Sequence, residues 1–152
     1  SGKCEFDNPR LAALGINTLP DHVPNYEPPT AAHPLAMISP PARNFLNSTF
    51  ANVASLARME ERPLLELHPE DAAARGIADG DRLRVFNARG SHVCHAAVNG
   101  RARPGVVVGL GIWWRKQGAN STNVNELTHQ QLTDIGRAPC FYDCAVQVER
   151  LA

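Results

Sequence analysis

The sequence predicts a mainly β domain with short helices (α+β), folded as a small mixed barrel. Three observations predict it. Short apolar or alternating runs recur from residue 35 to residue 149, each bounded by Pro, Gly, Asn or Asp. Helical segments are few and brief. Neither an internal repeat nor a low-complexity tract interrupts the pattern.

The 152 residues suit one domain with its own core. Fifteen Lys and Arg balance fifteen Asp and Glu, so the basic footprint of a nucleic-acid binder is missing. No stretch is long and apolar enough for insertion into a membrane as a helix. The start, Ser1-Gly2-Lys3-Cys4, has neither Met nor the features of a signal peptide, and the expectation is a chain cut from a longer one, with Ser1-Gly2 a tag scar. Cys4, Cys94, Cys140 and Cys144 are scattered, which reads as reduced thiols in a cytoplasmic protein, two or three of them partly buried.

Residues 1–34 carry Pro9, Pro20, Pro24, Pro28, Pro29 and Pro34. Proline fixes φ and removes a donor, so neither a long helix nor a central strand is expected there. The stretch reads as an arm or linker from a preceding domain, running over a neighbour, and residues 35–152 read as the barrel. Leu35–Ile38 is a short buried strand stopped by Ser39-Pro40-Pro41. Asn47, Ser48 and Thr49 offer N-caps for a helix over 50–58, with Phe50, Val53, Ala54 and Ala57 on one face. Leu64–Leu67 is a second strand. A short helix follows, with Pro69 in its first turn, Glu70 and Asp71 on its dipole and Gly76 as its stop. After the Asp79-Gly80 turn, residues 82–87 and 92–99 alternate and form a hairpin through Ala88-Arg89-Gly90-Ser91. Leu83 and Val85 share a face, as do Cys94, Ala96 and Val98. A strand from Val106, a polar loop over 117–125, a short helical turn and a last strand over 145–149 complete the order.

Several chemistries are missing. Gly109-Leu110-Gly111 lacks the third glycine of a dinucleotide fingerprint and reads better as a strand that bends or admits a close neighbour. The spacing of Cys140 and Cys144 does not suit a zinc ribbon or finger, and no hydrolase elbow or H-E-x-x-H motif occurs. His129, beside Gln130 and Gln131, reads as a surface residue. The sequons at Asn47 and Asn120 acquire meaning only in a secretory context.

Two segments, 39–49 and 117–125, are dense in hydroxyls and carboxamides and poor in charge. Such groups donate and accept in fixed directions and suit a ligand with phosphates and a heteroaromatic edge. The first segment leads into the expected helix N-terminus, which would favour an anion, and Arg43 offers a charge-assisted contact to a phosphate. Solvated loops with ordinary caps are the alternative reading. Trp113, Trp114 and Tyr142 are available for stacking or for ordinary packing.

Taken in order, these residues resemble a known family. Leu35-Ala36-Met37-Ile38-Ser39-Pro40 with Phe45-Leu46-Asn47-Ser48-Thr49-Phe50, then Glu66-Leu67-His68-Pro69-Glu70-Asp71-Ala72 with Gly76, Asp79-Gly80-Asp81 and Arg89-Gly90, then Asn123-Val124-Asn125-Glu126-Leu127-Thr128 with Ala138-Pro139-Cys140-Phe141-Tyr142-Asp143 are similar to the molybdopterin dinucleotide-binding domain of the dimethyl sulfoxide reductase family. The resemblance implies a six-stranded, pseudo-symmetric double-psi β-barrel, aspartate-decarboxylase-like. It implies a domain that lies on a bis-molybdopterin guanine dinucleotide holding molybdenum or tungsten in a longer oxidoreductase. The isolated chain is expected to carry no cofactor and to be inactive. Positions implied for contact are Ser39, Pro40, Arg43, Asn44, Asn47, Ser48, Asn125 and Tyr142. Tyr142 stands where some relatives carry Lys, and Pro40-Pro41 and Phe45 stand where others carry Gly-Arg and His. Neither a catalytic residue nor a metal ligand is assigned. Partners implied are the preceding domains and an iron–sulfur electron-transfer partner. The alternatives from other classes are a stand-alone barrel acting as a binding or adaptor module, and a small subunit of a molybdenum or tungsten enzyme.

Overall fold

A computed structural model describes residues 2–19, 21–116 and 121–152. The element order is α1 (Pro9–Ala12), β1 (Leu35–Ile38), α2 (Ala54–Glu60), β2 (Leu64–Leu67), α3 (Pro69–Ala73), β3 (Arg82–Phe86), β4 (Ser91–Val98), β5 (Val106–Leu110), a 3-10 helix (Val124–Glu126) and β6 (Cys144–Arg150). The six strands close into a barrel in the order β1-β5-β2-β4-β3-β6.

The pairing contains its own symmetry. β1 runs parallel to β5 and β2 parallel to β4, while every other neighbouring pair is antiparallel. Exchanging β1 with β4, β2 with β5 and β3 with β6 reproduces the same set of pairs. Two interlocked halves of three strands therefore build the barrel, which is the double-psi arrangement. Closure leaves no edge unpaired among the described strands.

Alternation fills the interior. Leu35, Met37, Leu65, Leu67, Leu83, Val85, Cys94, Ala96, Val107, Val146 and Val148 point inward and form one buried cluster. Gly109 and Gly111 make room for the lid of this core. A Cβ on either would meet a Val124 methyl at 3.1 or 3.0 Å, so the glycine of β5 and the one just after it admit a close neighbour, as the sequence suggested. α3 opens on Pro69 with His68 as N-cap and closes at Gly76, whose φ is +61°.

One expectation needs correction. The helix predicted over 50–58 begins only at Ala54, its N-cap is Val53, and no side chain caps it. Residues 46–49 instead make a tight turn: Leu46 and Thr49 exchange both backbone hydrogen bonds, at 3.1 and 2.9 Å, and Asn47 has φ +51°. Asn tolerates that left-handed conformation better than most residues, so turn chemistry prevailed over capping. In the arm, regular structure among the described residues is limited to the single turn of α1, and residues 26 and 27 are hydrogen-bonded to Asp143 and Ala145.

Candidate cofactor-binding cleft

The C-terminal ends of parallel β1 and β5 and the start of antiparallel β6 lie at one end of the barrel. The loops leaving those ends, with the 3-10 helix, enclose a cleft of about 430 Å³. Its polar lining is Ser39, Asn47, Asn125, Thr128, His129 and Tyr142. Pro41, Ile112, Pro139 and Phe141 supply the apolar walls. Among the described residues, no Asp, Glu, Lys or Arg lines it.

Each wall is fixed by local chemistry. Beyond β1, the Pro40 carbonyl accepts from Gly111 N–H at 3.1 Å and Ala42 N–H donates back to the Gly111 carbonyl, which extends the β1–β5 pairing into the loop. Ala42, Phe45, Ala51 and Trp113 then form a second small core, with Phe45 edge-on to Trp113 at 5.0 Å. Trp114 Nε1–H donates to the Ser48 carbonyl at 2.7 Å, pinning the turn that presents Asn47. Trp113 and Trp114 thus hold the loop from behind.

The opposite wall rests on a capping box. Asn123 Oδ1 accepts from Asn125 N–H at 2.9 Å, and Glu126 Oε1 accepts from Asn123 N–H at 3.4 Å. Arg115 Nε holds the same Glu126 oxygen at 3.2 Å. Asn125 is left exposed, and Thr128 Oγ1 donates to its carbonyl at 3.1 Å. His129 Nδ1 accepts from Gln131 N–H at 3.0 Å, which puts the proton of the neutral ring on Nε2. That Nε2 is buried and has no hydrogen-bond partner among the described residues. His129 is therefore a half-buried cleft residue rather than the surface residue expected.

The structure brings Ser39, Asn47, Asn125 and Tyr142 into one cleft, although 103 residues separate the first from the last in sequence. The other implied positions lie elsewhere. Pro40 acts through its backbone. Asn44 donates from both its backbone N–H and its Nδ2 to Glu60 Oε1. Ser48 is exposed and meets Trp114 through its backbone carbonyl, and Arg43 is exposed; both lie outside the lining. The anion site expected at the helix N-terminus is displaced, because that helix starts beyond the turn. Of the second polar segment, residues 117–120 lie outside the described residues, and Ser121, exposed, is outside the lining. The lining also includes Thr128, His129, Pro139, Phe141, Ile112 and Pro41, which the sequence does not mark as ligand contacts. Thr128 adjoins the Asn-x-x-Glu box, a legible signal; Ile112 and Phe141 had none, since only closure of the barrel makes them neighbours.

The thiols of the barrel are kept from reactivity by burial. Cys94 is pushed up to about 12 and Cys144 to about 11, the latter despite Arg89 beside it. Cys144 begins β6 and donates to the Leu127 carbonyl at 3.3 Å. Among the described residues, no cluster of three His, Cys, Asp or Glu is placed to hold a metal ion, and no helix is long and apolar enough to cross a membrane.

The fold is thus a six-stranded double-psi barrel with a neutral polar cleft at one end, and comparison with known proteins supplies its family. The family model described as "Molydopterin dinucleotide binding domain" matches residues 35–145, and the chain belongs to that family. It is 36% identical over 151 residues to the probable oxidoreductase YoaE of Bacillus subtilis, covering 99% of this chain and 22% of that protein. It is 31% identical over 169 residues to the dimethyl sulfoxide reductase DmsA of Escherichia coli, covering 99% of this chain and 21% of that one. The chain thus spans about a fifth of the length of the curated relatives it matches. Acetylene hydratase from Pelobacter acetylenicus superposes with a TM-score of 0.76 at 17% identity, covering 93% of this chain and 22% of that one, a likeness of fold.

The residues fit the group the family is described as binding. The lining supplies directional hydroxyl and carboxamide groups without net charge, and the partnerless His129 Nε2–H is a buried donor of the kind a bound heterocycle or phosphate would satisfy.

Proposed function

We propose that this chain is the C-terminal cofactor-cradling domain of a longer molybdopterin oxidoreductase, with 35–152 as the barrel and 1–34 as the arm arriving from the preceding domain. In this reading the ligand is the guanine dinucleotide form, present as the bis-molybdopterin cofactor with molybdenum or tungsten. Ser39, Asn47, Asn125 and Tyr142 contact it directly. Pro40, Arg43, Asn44 and Ser48 shape or flank the loop that does so. The observation that carries the reading is the convergence of Ser39, Asn47, Asn125 and Tyr142 on one neutral cleft in a chain of this family.

The metal of the bound cofactor would supply the redox chemistry. This chain's residues would bind and orient the organic part and exclude water from one side of it. Catalytic residues and the protein's metal ligand are assigned to the preceding domains. An iron–sulfur partner for electron transfer and a cytoplasmic location complete the proposal, the latter from the scattered cysteines.

Cofactor retention in the full-length protein tests it. Asn47→Ala and Asn125→Ala should each lower bound molybdenum and acid-released guanine nucleotide by up to about tenfold, as for one or two hydrogen bonds of ~1 kcal/mol each. Full retention of both in both variants would refute the contact assignment.

A further inference from the structure

The arm is more than a tether. Glu27 Oε2 meets Arg89 Nη1 at 2.7 Å, and its Oε1 accepts from Arg89 Nη2 at 2.9 Å and from Ala145 N–H at 3.0 Å. This two-toothed, charge-assisted pair fixes the guanidinium plane. Arg89 Nε then donates to the Leu127 carbonyl at 2.7 Å. The same carbonyl accepts from Asn87 Nδ2 at 2.8 Å and from Cys144 Sγ at 3.3 Å. Leu127 is buried between Asn125, two residues before it, and Thr128 and His129, directly after it. Tyr26 adds a backbone donation to Asp143 Oδ2 at 3.3 Å and sits edge-on to His129 at 6.5 Å. Asp143 follows the cleft residue Tyr142.

We propose that Glu27 is a positioning residue for the cleft: through Arg89 and the Leu127 carbonyl it fixes the wall that carries Asn125, Thr128 and His129. The ligand-binding unit therefore begins before residue 35, where the family match starts. The proposal rests on the cleft being the cofactor site.

Burial works against the charge on Glu27, but the Arg89 hydrogen bonds, the Ala145 N–H, the Arg89 charge and the nearby His129 together hold its carboxyl below the usual range. The latch is thus made throughout the neutral range. The charged and titratable groups around it are Arg89, His129, Cys144 and, beside Tyr26, Asp143.

The test uses the chain itself with GDP, which carries the guanine and diphosphate of the proposed ligand, together with amide hydrogen exchange. Glu27→Ala should weaken GDP binding by about tenfold, the scale of losing one charge-assisted contact. It should speed exchange at residues 127–131 while leaving β4 and β5 unchanged. Glu27→Gln keeps one acceptor for Ala145 N–H and Arg89 but loses the charge and the second tooth, so it should fall between the wild type and Glu27→Ala in both readouts. Glu149→Ala, which removes the exposed pair with Arg84, serves as a control and should change neither. A role confined to general stability would instead speed exchange evenly through the strands, and that outcome overturns the proposal. So does wild-type exchange at 127–131 in Glu27→Ala. Failure of GDP to bind the unaltered chain would count against the guanine reading, and the exchange pattern would then decide the latch by itself.

Discussion

Replacing Gly90 by Ala tests how the barrel supports its cleft. Gly90 lies in the β3–β4 hairpin, and its φ is not in the left-handed region, so backbone strain is not at issue. An added Cβ would sit 2.9 Å from the backbone carbonyl oxygen of Glu126 and 3.5 Å from the Glu126 Cβ. Carbon and oxygen prefer a separation several tenths of an ångström greater, and the obstacle is backbone in the 3-10 helix that presents Asn125. That helix is tied down by its capping box and by Arg115, so it cannot retreat freely. Overpacking of this kind costs about 1–3 kcal/mol. The stiffer unfolded chain returns about 0.4–1 kcal/mol. The expected net loss is about 1–2 kcal/mol, or a fall in Tm of about 2–8 °C for a domain near this size. Gly100→Ala is the matched control, since nothing lies within 4 Å of its added Cβ and its φ is not left-handed. Urea melts of the three proteins should show Gly90→Ala less stable and Gly100→Ala unchanged or slightly more stable, with faster amide exchange at 124–128 only in the former. Equal stability of the two alanine variants would show that the hairpin does not press on the 3-10 helix.

Other consequences are as direct. Burial depresses His92 from 6.5 to about 4, so the unfolded chain takes up a proton before the native one does. Stability from this group is complete above about pH 6.5 and declines as pH falls toward 4, by about 3 kcal/mol in all; His92→Phe should flatten that part of a stability-versus-pH curve, and an unchanged slope would exclude His92 as its source. Trp114→Phe removes the donor to Ser48 and should cost about 1 kcal/mol, read by urea melts, with the exchange of residues 46–49 rising. Thiol titration at pH 8 should find Cys4 and Cys140 reactive in the native protein, with Cys94 and Cys144 reacting only after denaturation; modification of all four at similar rates would show that the barrel opens readily.

Much of the barrel was readable because its strands obey a period of two. Leu83 with Val85, and Cys94 with Ala96, fall on the inner face as their alternation predicts, and Pro69 and Gly76 bracket α3. The 46–53 region misled because Asn, Ser and Thr serve turns and helix caps equally well. Local spacing does not distinguish them. The second core of Ala42, Phe45, Ala51 and Trp113 makes that choice, and it joins residues more than sixty positions apart. The cleft was half legible for a similar reason. Ser39, Asn47, Asn125 and Tyr142 sit in recognisable segments, whereas Arg43 and Ser48 share a segment with Asn47 but are exposed outside the cleft, and Asn44 turns to Glu60. Composition marks a polar loop; only folding decides which of its side chains face inward. The Glu27–Arg89 pair, 62 residues apart, left no sequence signal, since neither partner belongs to a helical or cross-strand pattern.

The central claim is that the cleft at the β1, β5 and β6 ends holds a molybdopterin dinucleotide. A crystal structure of the cofactor-loaded full-length protein tests it most directly. The account predicts cofactor oxygen or nitrogen atoms within about 3.5 Å of the Asn47 and Asn125 side chains, at hydrogen-bonding distance. Cofactor density lying away from this end of the barrel, with the cleft filled by protein side chains, would contradict it.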